Sequence, residues 1–401
     1  MTEIYGGIGS EVPNQANRLF DVTDIMFLEK PDEAPLTALM AFLRSNQTID
    51  PQFSWFSKGI RDQQTLADGA FTASDIVIKV DNAKLFVPND VLVVVNASSG
   101  AYGEQILVTA VNTTTNELTV VRGAGIAAAI INDNDILVRV GNAHEEGSDL
   151  PAPVSQKARE WLNYTQIFRH SARHTNTAAV TTFRAGNQSR EVVTKRNEKT
   201  REHKREIEAA MLWGNRHIIN AGQENVKRFT GGLNYFIEQS KLAGDDMTSA
   251  VPGGGALSQD FLEGYLGDLA FNFGAKKKWA LCSPNTITVL NNLFHDRMRF
   301  VNGTEDFKLN ILQYESPHGI LNIVRHELFT NGIYKNAMLV FDPDHLEQRF
   351  IPHFGSGMTT FREDIGERRY DRMEDDWITE VGMEVAVPAS LSLLTNIVSA
   401  A

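Results

Sequence analysis

The chain has 401 residues, of which 42% are hydrophobic and 22% charged, a composition typical of a globular protein with roughly two or three domains. Its net charge of −12 argues against a protein that holds nucleic acid mainly by bulk charge, although a local basic face is compatible with it. The single cysteine, Cys282, excludes an internal disulfide framework and a cysteine metal cluster. No apolar run approaches the roughly 20 residues that span a bilayer, and the first residues do not resemble a secretory signal. We therefore expect a cytoplasm-like environment and no membrane partner.

Two different patterns follow one another in the first part of the chain. Residues 1–65 contain repeated glycines and prolines, which interrupt any long helix or strand, so we expect an arm that lies on another body. Between residues 70 and 140, β-branched runs alternate with Asn, Asp, Gly and Ser at the spacing of a small sandwich or barrel. We predict an inserted β domain here, with strands at 76–80, 91–95, 105–111, 118–122 and 136–140.

Residues 189–220 predict one long helix, because they contain no proline, a single glycine (Gly214) and many good helix formers. A helix of about 30 residues would be about 45 Å long. Between residues 195 and 206, however, the segment has no apolar stripe, and a helix that is polar all round cannot be held by an ordinary core. Such a helix must bridge two bodies, rely on side-chain pairs or be covered by other molecules.

Charged side chains support this helix but do not fix its position in a fold. Between Arg190 and Glu208 there are seven Lys or Arg against five Asp or Glu. The spacing favours pairs such as Lys204 with Glu208, each of which contributes only about 0.2–0.5 kcal/mol. Apolar anchors are found near the end of the segment: Ile207, Met211, Leu212, Trp213 and Ile218. A solvated surface helix that is docked at one end therefore remains an open interpretation.

From residue 258 onward, helical and strand patterns alternate, so the chain as a whole is predicted to be α+β. One helix begins after the capping residue Ser258, and a second begins at Pro284. Two pairs of adjacent strands are predicted, 308–314 with 320–326 and 337–341 with 347–351. A long strand with one mostly apolar face is predicted at 377–387.

Patterns that carry catalysis are absent from the sequence, which has neither a glycine-rich phosphate loop nor a nucleophile elbow. His170 and His174 have the spacing of a helical metal pair, but no carboxylate lies between them where a hydrolytic zinc motif has one. Solvated or interface histidines are the favoured interpretation. The stretch Asp342-Pro-Asp344 predicts a turn, and Glu374-Asp-Asp376 predicts a solvated or salt-bridged surface. We expect no enzyme activity, no cofactor and no metal site.

Several short segments in residues 100–235 carry a resemblance by their order and spacing. They are Leu107-Val-Thr-Ala-Val111, Leu118-Thr-Val-Val-Arg-Gly123, Gly141-Asn-Ala-His-Glu-Glu-Gly-Ser148, Asn163-Tyr-Thr-Gln-Ile-Phe-Arg169, Thr177-Ala178, Ile207-Glu-Ala-Ala-Met-Leu-Trp-Gly214 and Arg228-Phe-Thr-Gly-Gly-Leu233. Together they resemble the tailed-phage major capsid proteins of the phage SU-10 type.

The resemblance implies the Hong Kong 97 phage capsid fold, which consists of an N-terminal arm, an extended loop, a peripheral domain with a long spine helix, and an axial domain. On this chain the arm is expected at 1–50 and the extended loop at 51–165, with the β domain inserted at about 70–140. The peripheral domain is expected at 166–257 with the spine helix at 189–220, the axial domain at 258–340, a return to the peripheral domain at 341–375, and a C-terminal axial strand at 376–401.

The resemblance also implies a non-catalytic major capsid protein that is assembled in the host cytoplasm and located in the virion. Its hexamers and pentamers would form an icosahedral head shell, with the portal, decoration or scaffolding proteins and non-specifically bound packaged dsDNA as further partners. Candidate inter-subunit or DNA-facing residues are Arg190, Lys195, Arg196, Lys199, Arg201, Lys204 and Arg205. Two alternatives are an enzyme that uses the histidines and acids above, and a tail or fibre protein that carries the β domain as an adhesin.

Overall fold

The structure is a computed structural model that describes residues 44–59, 63–149, 158–180, 191–242, 247–251, 256–293, 298–301, 311–330, 334–353, 357–365 and 371–398. Most of the predicted arm, and residues Ser189 and Arg190 of the predicted long helix, lie outside the described residues. The chain divides into two compact units. The insert unit is Phe56–Arg159, and the main unit combines the described parts of Met1–Trp55 and Glu160–Ala401.

The described strands are, in chain order, β1 (Arg44–Gln47), β2 (Gln52–Ser57), β3 (Gln64–Leu66), β4 (Val77–Lys79), β5 (Asp90–Val95), β6 (Tyr102–Asn112), β7 (Glu117–Val121), β8 (Ile136–Asn142), β9 (Arg159–Tyr164), β10 (Gln166–Thr175), β11 (His217–Ile219), β12 (Lys227–Phe229), β13 (Thr248–Ala250), β14 (Lys277–Cys282), β15 (Met298–Val301), β16 (Ile311–Glu315), β17 (Ile320–Arg325), β18 (Met338–Phe341), β19 (Leu346–Ile351), β20 (Thr359–Arg362), β21 (Arg372–Val385) and β22 (Ser392–Thr395). The described α-helices are α1 (Asn176–Val180), α2 (Glu191–Trp213), α3 (Leu233–Leu242), α4 (Gln259–Tyr265) and α5 (Pro284–Leu293). The predicted α+β class is confirmed.

The insert unit is an antiparallel sheet with the strand order β3-β8-β5-β6-β7-β4. A bridge between Ala67 and Val80 joins its two edges, so the sheet closes on itself as a small barrel. Alternate side chains point inward, and Ile78 and Leu92 belong to its fully buried apolar core. Strands are present at all five predicted positions. The prediction missed β3, because three residues are too few to show an alternating pattern.

The main unit contains two large sheets. In the first sheet the described strands have the order β1-β19-β21-β10, and β20 also pairs with β21. In the second sheet the order is β13-β22-β18-β14-β17-β16-β15. Helices α4 and α5 pack on the second sheet around a core that includes Leu262, Val289 and Ile323. The predicted hairpin of β16 and β17 is confirmed.

The predicted pairing of 337–341 with 347–351 is wrong. Strand β18 lies between β22 and β14 in the second sheet, whereas β19 pairs with β21 in the first. The connection is a 3₁₀ turn, Pro343–His345, in which the Asp342 side chain accepts a hydrogen bond from the Asp344 N–H. At this capped turn the chain passes from the second sheet to the first and does not reverse as a hairpin.

The strand predicted at 377–387 is confirmed as β21, but its neighbours differ from the expected ones. It runs from Arg372 to Val385 and lies in the first sheet, between β19 and β10. Of the described part of 376–401, β22 joins the second sheet, where it pairs with β18 and β13. The described part of 376–401 therefore contains residues of two strands that lie in two different sheets. Alternation in a sequence identifies a strand but carries no information about which strands pair with it.

The long helix is shorter than the predicted 189–220 segment, because α2 ends at Trp213 and β11 follows it. Gly214 sets this end. A Cβ atom at this position would lie 2.4 Å from the carbonyl oxygen of Ala210 and 2.6 Å from that of Thr230. Only glycine, which has no Cβ, therefore fits at the point where the chain leaves α2, because the last turn of the helix and the segment after β12 both lie so close to it.

Candidate functional site

The inner face of α2 lies on the first sheet, against β10 and β21. Its members recur at helical spacing: Val192, Arg196, His203, Ile207 and Met211. All are buried except Arg196, whose side chain retains 21% exposure. The helix therefore has an inner face, but between residues 195 and 206 this face is polar. We call residues 195–206 the polar half of α2 and Ile207–Trp213 its apolar half.

Arg196 attaches the polar half of α2 to β21 through a forked ion pair. Its Nε and Nη2 atoms donate to the two carboxylate oxygens of the fully buried Asp375 at 2.7 and 3.0 Å. Its Nη1 atom lies 2.8 Å from Glu363, and its guanidinium carbon lies 5.6 Å from the centre of the Phe361 ring. The hydrogen bonds with Asp375 raise the pKa of Arg196. This candidate residue is thus engaged within its own subunit.

Asp376, the next residue on β21, is held by two arginines from the neighbouring strands β10 and β20. Arg169 donates to its carboxylate oxygens from Nε at 2.9 Å and from Nη2 at 3.2 Å, and Arg362 also donates to it. Burial of Asp376 favours the neutral acid, but hydrogen bonds and charge from the two arginines outweigh burial and lower its pKa. The expectation of a surface location for this stretch is wrong at Asp375 and Asp376, which are both buried beneath basic partners.

A chain of hydrogen bonds crosses the interface of α2 with the sheet next to these acids. The Nδ1 atoms of His170 and His203 are 2.9 Å apart, and Nε2 of His203 lies 2.8 Å from Oγ1 of Thr379. At the other end, Nε2 of His170 lies 3.1 Å from Oε1 of Glu206. Burial lowers the pKa of His203 to about 4. His203 is therefore neutral at physiological pH.

The outer face of α2 carries the remaining described candidates, which are exposed or half-exposed: Lys195, Lys199, Arg201, Lys204 and Arg205. Lys195 pairs with Glu198 at 3.2 Å, and Lys199 pairs with Glu202 at 2.5 Å. Among the described residues, no acidic side chain pairs with the other three charges, and Arg190 lies outside the described residues.

The predicted pair of Lys204 with Glu208 is wrong, because Glu208 points inward. Its Oε1 atom lies 2.5 Å from Nε2 of His326, and both side chains are completely buried. The Nδ1 atom of His326 accepts the Leu328 N–H at 3.1 Å, so the hydrogen on its ring is at Nε2 and is donated to Glu208. This contact ties the junction of the polar and apolar halves to the end of β17.

The remaining candidates for chemistry have structural roles. Asp342 is buried and accepts hydrogen bonds from the Ala275 N–H at 2.7 Å and from Nδ1 of His345 at 2.8 Å, so it fixes the corner between the two sheets. His170 and His174 lie on strand β10 and not on a helix. Four residues of strand separate them by about 13 Å, which excludes the helical metal-pair geometry.

The structure brings together one group that the sequence did not predict. His170 of β10 and Glu202 and Glu206 of α2 offer nitrogen and oxygen atoms that all lie within 4.8 Å of one another. The glutamates are one turn apart on one side of the helix, a signal that is visible in the sequence. The histidine comes from a strand whose place beside the helix cannot be read from periodicity.

Comparison with known proteins identifies the family. Residues 9–398 match the family model described as SU10 major capsid protein. A stretch of 186 residues is 29% identical to the major capsid protein of Pseudomonas phage PaMx41 and covers 46% of this chain. The match spans 43% of that relative, so the chain covers less than half of its length.

Solved structures similar to this chain include two capsids. The capsid of a native GTA particle is 11% identical, with 99% of this chain and 100% of that chain covered and a TM-score of 0.49. The capsid of Myoviridae phage XM1 is 12% identical, with 98% and 99% covered and a TM-score of 0.45.

The family match over nearly the whole chain defines a class, the capsid proteins, which are structural components of the virion. Among the described residues, no helix is both long enough and apolar enough to cross a membrane. The chain belongs to the SU10 major capsid protein family. The resemblance inferred from the segments between residues 100 and 235 is thereby confirmed.

Proposed function

We propose that this chain is the building block of a tailed-phage head, and that its hexamers and pentamers close into an icosahedral shell around dsDNA. The observation that carries this proposal is the family match over residues 9–398. The proposed role is structural and non-catalytic. The portal, and decoration or scaffolding proteins, are the further partners that we propose for such a shell.

The proposal includes a Hong Kong 97-type arrangement of the chain. Residues 1–50 are assigned to the arm, and 51–165 to the extended loop that carries the insert unit, Phe56–Arg159. Within this arrangement we assign helix α2 and the first sheet to the peripheral domain, and the second sheet with α4 and α5 to the axial domain. Strand β21 then belongs to the peripheral domain, so β22 supplies the C-terminal axial strand that was expected within 376–401.

Co-expression with the other head proteins of the same phage, followed by negative-stain imaging, tests the proposal. Closed shells built from hexameric and pentameric capsomers are expected, because heterologous contacts repeated around rings close into such shells. Rings or tubes would favour a tail component instead. Subunits that remain monomeric at all concentrations would refute shell formation.

For the outer face of α2 we propose loose, non-specific contact with packaged DNA. Lys195, Lys199, Arg201, Lys204 and Arg205 lie together on that face, in a chain whose net charge of −12 otherwise repels phosphate. Contact of this kind neutralises phosphates without reading bases, so it weakens as salt increases.

Charge reversal tests this contact. The triple variant Lys195→Glu, Lys199→Glu and Arg201→Glu is expected to lower the genome content per particle while shells still form. A matched control reverses three exposed lysines elsewhere: Lys84, Lys241 and Lys277. Equal genome content in both variants and the parent would refute the DNA contact, and loss of shells in the first variant alone would assign the face to a neighbouring subunit.

A further inference from the structure

Hydrogen-bond directions fix which nitrogen of His170 carries a hydrogen. Thr379 donates its hydroxyl hydrogen to Oγ1 of Thr359 at 2.8 Å, so it must accept from Nε2 of His203, also at 2.8 Å. The two facing Nδ1 atoms share one hydrogen, and because the ring hydrogen of His203 is already donated from Nε2, its Nδ1 is the acceptor. The Nδ1 atom of His170, 2.9 Å away, is therefore the donor of that contact.

The other nitrogen of His170 consequently needs a cation. When the ring is neutral, Nε2 has only a lone pair, yet it lies 3.1 Å from Oε1 of Glu206. Two acceptors at this distance repel each other unless a proton or a metal ion lies between them. Glu202 places a second carboxylate beside the same nitrogen, with the three donor atoms within 4.8 Å of one another. Lys199 contacts Oε2 of Glu202, but a carboxylate has a second oxygen.

We propose that His170, Glu202 and Glu206 bind a divalent transition-metal ion of the Zn²⁺ class. One imidazole nitrogen and two carboxylate oxygens are ligands that Zn²⁺ accepts at about 2.0–2.2 Å. The hydrogen bond of His170 to His203 holds the imidazole in the tautomer whose Nε2 is free to coordinate, as ligating histidines commonly require. The fourth position is open to water or to a group from another molecule.

The ion would connect α2 to β10 in the polar half of the helix, where little apolar surface holds them together. Its ligands come from two elements that meet only in the folded chain, so binding is linked to folding. This site does not depend on the proposed capsid function, because every group in it lies within one subunit.

Titration of the purified, chelator-stripped full-length chain with Zn²⁺ in a calorimeter tests the site. Wild type is expected to bind a single ion per chain, and Glu202→Gln or Glu206→Gln to weaken binding at least about tenfold. Glu198→Gln is the matched control and is expected to bind as wild type does. Its side chain is 52% exposed on the same helix, against 49% for Glu202 and 55% for Glu206, so all three substitutions are expected to leave the fold intact.

X-ray absorption at the zinc edge gives a second readout, in which one imidazole and oxygen neighbours at about 2.0–2.2 Å are expected. Equal affinity in wild type and Glu206→Gln would overturn the proposal, as would equal weakening by Glu198→Gln. Absence of Zn²⁺ binding to wild type would also overturn it, and would assign the shared cation to a proton on His170.

Discussion

The two halves of α2 are held to the main unit by different physics. In the apolar half, Ile207, Met211 and Leu212 are buried in one cluster with Phe236 and Phe329. In the polar half, the inner side chains are ionic or hydrogen-bonded: Arg196 meets Asp375, and His203 meets His170 and Thr379. The polar half has no apolar stripe, and it is docked by hydrogen bonds and ion pairs to polar side chains of the sheet beneath it.

This difference between the two halves implies that they contribute differently to the stability of the fold and to the position of α2 on the sheet. Apolar burial stabilises in proportion to the area removed from water and has little directional preference. A buried ion pair adds little net stability, because desolvation offsets attraction, but removal of one partner leaves an uncompensated charge. We therefore expect the apolar half to supply most of the free energy and the polar half to set where the helix lies on the sheet.

The largest effect is expected for Leu212→Ala, which removes a completely buried side chain from the apolar half. The loss should be about 2–5 kcal/mol of unfolding free energy, because a cavity remains. Chemical denaturation of the unassembled chain measures it. Val193→Ala is the control, since Val193 is 47% exposed on the same helix, and its effect should stay within about 0.5 kcal/mol. Similar losses in both variants would contradict the assignment of the halves.

Arg196→Met should have the next largest effect, with a loss of about 1–3 kcal/mol. The substitution keeps much of the side-chain length but leaves Asp375 without its forked partner. The loss stays below that of a wholly buried pair, because Asp375 still accepts the Asp364 N–H at 3.2 Å. Lys195→Met on the outer face is the control, and the same denaturation measurement should find it close to wild type.

Acid should weaken the polar interface through Asp376. Its pKa is lower in the folded chain than the roughly 3.9 of an unfolded aspartate, so folding is favoured by its charge above that pH. This contribution is lost as the pH falls from about 3.9 through the lower folded value. Asp376→Asn should therefore flatten the pH dependence of unfolding free energy in this range. An unchanged pH profile would show that Arg169 and Arg362 do not stabilise the charged form.

The smallest effect is expected on the outer face. Lys199→Ala removes an exposed partner of Glu202 and should change the unfolding free energy by less than about 0.5 kcal/mol, since surface pairs contribute little. Added salt should reduce the difference further. A loss comparable to that of Arg196→Met would indicate that the outer face also holds the helix.

The sequence was most informative where a local pattern determines the structure. The β-branched runs of the insert unit predict its strands, and Ser258 and Pro284 mark helix starts that the structure contains. The end of α2 was misplaced, because the role of Gly214 depends on the close approach of Thr230, a contact distant in sequence. Strand partners such as those of β21 were likewise hidden, since alternation does not specify neighbours.

In the candidate site, too, a local sequence pattern does not predict contacts between side chains that are distant in sequence. Seven basic residues on one predicted helix were grouped by charge alone, and helical spacing would have separated Arg196 from the outer five. What identifies Arg196 as an inner residue is the buried Asp375 opposite it, which lies 179 residues later in the chain. Pairing of this kind depends on which strand lies under the helix, and a single sequence does not contain that information.

A double-mutant cycle between Arg196 and Asp375 tests most directly the claim that the polar half is held by specific ion pairs. Unfolding free energies are measured for wild type, Arg196→Met, Asp375→Asn and the double variant. The account predicts a coupling energy of about 1–3 kcal/mol, with the double variant less destabilised than the sum of the single ones. Additivity within about 0.5 kcal/mol would contradict it, because the two side chains would then contribute independently.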